Sequence, residues 1–102
     1  MFEVIILIPR NDNNGLVFDG EFVEFETLAV ASFGGISRLP GNVAGKWADG
    51  ETVYLDTIVV FVIAVRGIGQ GGEVARLAKE ACRIFRQEAV YIRYLGIAEI
   101  IS

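Results

Sequence analysis

The stretch "TVYLDTIVVFVIAVR", residues 52–66, constrains this chain more than any other. From Ile58 to Val65 every position is apolar, and β-branched residues dominate. The run is far short of the ~20 residues that cross a membrane as a helix. As a strand it carries apolar side chains on both faces, because successive residues point to opposite sides of a sheet. A strand with one wet face alternates apolar with polar, and this one does not. It calls for a central strand covered on both sides. "FEVIILIP", residues 2–9, repeats the pattern: Val4, Ile6 and Ile8 share one face, and Ile5 and Leu7 share the other.

Two amphipathic segments can supply part of the cover. From Asp19, an N-cap with Glu21 in the first turn, Phe22, Phe25, Leu28, Ala29 and Phe33 recur at helical spacing until Gly34-Gly35. A second helix is predicted from about Glu73 to Arg86, with Val74, Leu77, Ala78, Ala81, Ile84 and Phe85 on one face. "ISRL" (36–39) reads as a short strand, and "EAVYIRYLGIAEII" (88–101) as a last strand bent at Gly96. Pro40 and three glycines make 40–51 a long loop.

The order β-α-β-β-α-β predicts an α+β, ferredoxin-like sandwich. Its four-stranded antiparallel sheet has the order 4-1-3-2, with both helices on one face. At 102 residues a single domain spanning 1–102 is expected. The helices leave one apolar sheet face bare. A second copy of the chain is the expected cover, making a homodimer through that face or a sheet edge. The alternative, the 40–51 loop folded over the face, is disfavoured because that loop is polar and Gly-rich. A hydrophobic content of 53% and a mean hydropathy of +0.49 point the same way.

Composition also removes chemistry. The net charge is -4 and basic residues are scattered, which disfavours nucleic acid as a partner. There is no His, the commonest general base and metal ligand. The single Cys, Cys82, forms no intrachain disulfide or zinc site and is expected to be an inert packing residue. No cofactor and no metal are expected. The opening "MFEVIILIPR" reads as a strand and not a leader, so the expected location is the cytoplasm, without a membrane.

"GIGQGG", residues 67–72, matches G-x-G-x-x-G between a strand and a helix, the context of a dinucleotide fingerprint. In the order 4-1-3-2, however, strand one separates strands three and four, so no adjacent parallel pair frames a crevice. The motif is read as a strand-to-helix loop. "NDNNG" (11–15) would put Arg10 in the first position of a calcium loop, where a cation is repelled, and is read as a plain loop.

The topology brings Arg10, Asp12, Trp47, Tyr54, Asp56, Gln87 and Glu88 to one end of the sheet. An aromatic wall with a few polar groups suits a small-molecule pocket. Arg10, Trp47, Tyr54, Asp56, Gln87 and Glu88 are the expected ligand-binding residues. The competing reading makes Gln87 and Glu88 a device for turning the chain, since "FRQEAVYI" lacks the Gly that such a junction often carries.

"GKWADGETVYLDTIVVFVI" and "ACRIFRQEAVYI" together resemble a family of small uncharacterised bacterial domains, at Gly45, Trp47, Gly50, Asp56, Phe85, Gln87, Glu88 and Val90. The family usually has Glu where Asp56 stands. The resemblance implies a ferredoxin-like fold and marks Gln87-Glu88; it implies no activity. The expected function is a cytoplasmic self-associating domain that binds a small ligand. The alternative is an enzyme with Glu88 or Asp56 as acid/base and Arg10 holding an anion. A metal-dependent nuclease with Asp12 on Mg²⁺ is disfavoured by the charge.

Overall fold

A computed structural model describes residues 2–39 and 43–97. The apolar run and its N-terminal counterpart lie side by side at the centre of the sheet. β1 (Phe2–Pro9) pairs antiparallel with the second half of β4 (Thr52–Val65), with Leu7 opposite Val60 and Ile6 opposite Phe61. β5 (Tyr91–Ile97) flanks β1, and β2 (Ser37–Arg38) flanks β4. The order β2-β4-β1-β5 is the 4-1-3-2 order of a ferredoxin-like α+β fold. Helices α1 (Gly20–Phe33) and α2 (Gly71–Ile84) cover one face. Beneath them Val4, Ile6, Ile8, Phe61 and Ile63 meet Phe25 and Ala29 of α1 and Leu77 and Ala81 of α2.

The 40–51 loop is corrected. Val43–Asp49 is a strand, β3, forming a hairpin with the first half of β4. Trp47 pairs with Tyr54 and Asp49 with Thr52. Gly50, at φ 62, takes the first central position of the two-residue turn, where only glycine is unstrained. Glycine content suggested a loop; the turn chemistry of Gly50-Glu51 was the better signal. The segment extends the sheet, so it does not fold across the bare face. β4 has 14 residues, and at ~3.3 Å each it spans ~46 Å. The molecule's long dimension is accordingly 45 Å. Its radius of gyration, 14.1 Å, exceeds the roughly 13 Å of a compact chain this long. β3 and the first half of β4 are an arm, and β3 makes its extensive contacts with β4 alone.

Local details depart from expectation in two places. Asp19 precedes α1 but its side chain does not cap it; the Glu21 carboxylate instead accepts the Asp19 N–H at 3.2 Å. α1 then ends as predicted, with Gly34 left-handed at φ 83 and its N–H donated to the Val30 carbonyl. β5 begins at Tyr91 and not at Glu88 as predicted, and residues 98–101 of that prediction lie outside the described residues. Leu95 and Gly96 stand opposite the single residue Glu3, a β-bulge that accounts for the expected bend. Among the described residues no helix is long and apolar enough to cross a membrane.

Candidate functional site

The loop end of the sandwich is built around Asp12. Its Oδ1 accepts the N–H groups of Asn14 at 2.8 Å and Leu16 at 2.9 Å, folding the loop after β1 onto itself. Arg10 is exposed and closes the end of β1: its N–H donates to the Thr57 carbonyl, and its carbonyl accepts from the Phe18 N–H.

The end of α2 reaches the same loop through a residue that sequence reasoning missed. Arg86 has φ 53, the only left-handed non-glycine among the described residues. The Gln87 N–H donates to the Cys82 carbonyl at 3.0 Å and the Arg86 N–H to the Arg83 carbonyl at 3.4 Å. This pair of bonds is a Schellman motif with Arg86 in the position usually held by Gly. The left-handed residue aims its guanidinium back across the helix end. It lies 5.4 Å above the Phe18 ring, 3.3 Å from Glu21 Oε2 and 3.7 Å from Asp12 Oδ2. The Gln87 side chain donates to the Phe85 carbonyl at 3.0 Å. Both donors of Gln87 therefore serve the helix terminus, while Glu88 is exposed.

Hydrogen bonds from its own N–H and that of Asp19, with the nearby Arg86, hold the Glu21 carboxyl below the ordinary carboxylate value. The structure thus brings Arg10, Asp12, Gln87 and Glu88 to one end. Tyr54 and Asp56 lie on the arm, four and two residues beyond Ile58, where β1 stops. At ~3.3 Å per residue those are distances of ~13 and ~7 Å along the strand. Trp47 and Asp56 are placed by backbone pairing, with Tyr54 and Gly45 respectively. The side chains of Trp47, Tyr54 and Asp56 lie outside the described residues. Among the described residues no three acidic or cysteine side chains converge as a metal site requires.

A cavity of about 420 Å³ lies at the opposite end. Phe2 and Val4 of β1, Val65 of β4, Tyr94 of β5 and Val74 of α2 form its walls. Gly67 and Gly71, from the "GIGQGG" segment, complete it. Gln70 does not cap α2; its Oε1 accepts the Arg66 N–H at 2.7 Å instead. Sequence reasoning singled out this segment for a dinucleotide and then set it aside. β1 does separate β4 from β5, so the crevice required by that reading is absent.

Fold and geometry define a ferredoxin-like sandwich with a long hairpin arm, and solved structures are similar to it in fold. The divalent cation tolerance protein (Cut A1) from Thermus thermophilus is similar at a TM-score of 0.69 and 13% identity, over 98% of this chain and 86% of that one. CutA from Xylella fastidiosa matches at 0.67 and 8%, over 98% and 86%. A phage SAM lyase in complex with S-methyl-5'-thioadenosine matches at 0.67 and 17%, over 91% and 78%. At these identities the likeness is one of fold. No protein-family model and no curated protein matches the sequence.

Proposed function

We propose that this protein is a self-associating cytoplasmic domain in which copies of the chain cover one another's bare sheet face. The supporting observation is an apolar patch on that face, spread over β1, β4 and β5. Tyr91, Leu7 and the already buried Val60 form one cross-strand row, and Ile5 and Val62 lie in the next, where β5 contributes the exposed Arg93. Ile5, Leu7 and Val62 are only half-buried, although the helices pack on the other side. Covering such a face removes apolar area from water, the main driving force for association. A dimer is the smallest assembly that does so. Native mass spectrometry with light scattering at micromolar concentration is expected to find an oligomer. Leu7→Lys is expected to dissociate it with the circular dichroism spectrum retained. A monomeric wild-type chain would overturn the proposal.

Within this reading, the ligand expected near Trp47 and Gln87-Glu88 would meet Arg10 and Glu88, two of the exposed charges of the loop end. Gln87 supports that site by fixing the turn. A second reading makes the chain an enzyme with Glu88 or Asp56 as acid/base, supported by the fold it shares with the phage SAM lyase. Incubation with S-adenosylmethionine tests it, and absence of S-methyl-5'-thioadenosine removes it for that substrate.

A further inference from the structure

We propose that the cavity at the Gly67–Gly71 end binds a small, uncharged molecule with a flat aromatic body. This goes beyond self-association and needs only one chain. At about 420 Å³ the cavity is the size of a small-ligand site, which typically measures ~300–1,000 Å³. Among the described lining residues none carries a charge or a side-chain amide, and Tyr94 offers the only side-chain polar atom, its hydroxyl. A charged ligand would lose its hydration there without gaining a partner. Phe2 and Tyr94 are diagonal neighbours across β1 and β5, and both line the space. Tyr94 is 63% exposed, leaving ring surface for a ligand to cover.

Two glycines of the cavity wall are open to the same space. Gly is used where φ must be positive or where another group approaches too closely for a Cβ. Neither holds at Gly67 or Gly71: their φ values are not left-handed, and an added Cβ would meet nothing within 4 Å. What the two residues do is leave room.

Titration of the full chain with the neutral fluorophore N-phenyl-1-naphthylamine tests the proposal. Saturable one-to-one binding is expected, retained in Leu7→Lys and weaker by roughly tenfold or more for the sulfonated probe 1-anilinonaphthalene-8-sulfonate. Gly71→Leu fills the space and should weaken binding of the neutral probe roughly tenfold or more. Tyr94→Ala, at an exposed position, should weaken it as well. No saturable binding, or binding by both variants equal to that of the wild type, overturns the proposal. So does binding seen only in a chain shortened to end at Ile97, which would make the protein's own tail the occupant. Loss of binding in a folded, dissociated Leu7→Lys would place the site between chains and also overturn it, without touching the self-association reading.

Discussion

The two ends of this sandwich have the same sheet below and the same two helices above, yet they are filled in opposite ways. At the loop end five phenylalanines pack together. Phe18 meets Phe85 at 5.1 Å between centroids and Phe25 meets Phe61 at 5.1 Å, both edge to face. Phe22 sits 5.3 Å from Phe85 and 5.9 Å from Phe61. Two guanidiniums close the rim, Arg86 over Phe18 and Arg38 over Phe22, the latter at 4.8 Å. Arg38 is itself held by Glu26 of α1, through Nε at 2.9 Å. At the other end the chain carries Gly34, Gly35, Gly67, Gly69, Gly71 and Gly72, and a cavity remains. α2 spans the contrast: it begins without a side-chain cap on two glycines and ends in a Schellman motif pinned by an arginine. Packing is concentrated where no opening is needed, and the opposite end is left able to hold something.

The largest expected effect tests the packed end. Phe25→Ala removes a fully buried ring touching Phe61 and Phe85. It should cost ~3–5 kcal/mol in urea unfolding. Val74→Ala, at the cavity wall, should cost less per carbon removed, because atoms facing a void have already lost their partners on that side. Equal costs per carbon would mean the two ends are packed alike and would break the comparison.

Next in size is Arg86, where strain and anchoring compete. A left-handed conformation costs a non-glycine residue roughly 1 kcal/mol. The cation–π contact with Phe18 returns ~0.5–1 kcal/mol. Arg86→Ala keeps the strain and loses the contact, so it should destabilise by about 1 kcal/mol. Arg86→Gly loses the contact but relieves the strain, and should unfold near the wild-type midpoint. Equal midpoints for the Ala and Gly variants would show that backbone strain at this junction is not felt.

The helices and four of the strands were legible because their signals are periodic. Phe22, Phe25 and Ala29 recur on one helical face, and Val4, Ile6 and Ile8 on one strand face. All six are buried as that spacing predicts. β3 was not legible from composition, since Gly45 and Gly41 imitate a loop and the strand is defined by pairing with distant residues of β4. Arg86 was hidden for a different reason. Its role depends on a backbone conformation that arginine rarely takes, and on Asp12 and Glu21 arriving from far along the chain. Gln87 was legible as a junction residue, and its bonds to Cys82 and Phe85 show how it serves the turn. The cavity was least legible, because it is made by side chains that are missing. "GIGQGG" was noticed for what its amides could hold and not for the space its glycines leave.

At the open end, Gly72→Ala should stabilise. An added Cβ meets nothing within 4 Å, and Gly72 lies in the first turn of α2. The gain should be about 0.5–1 kcal/mol, from helix propensity and a less flexible unfolded chain. A loss instead would mean that this helix start needs its freedom.

The smallest effect belongs to Glu21, which ties α1 to the loop end. Hydrogen bonds from its own N–H and from that of Asp19, aided by Arg86, depress its folded-state value, whereas in the unfolded chain it titrates at about 4.3. A depressed carboxyl stabilises the fold fully above the unfolded value and loses that contribution as the pH falls through the folded one. Wild-type urea midpoints should therefore drop on acidification below about pH 4. Glu21→Gln should start lower at neutral pH and drop less across that window. Superimposable pH profiles would show that the carboxylate's charge does not fasten this end, and that the phenylalanine cluster holds it without help from the rim.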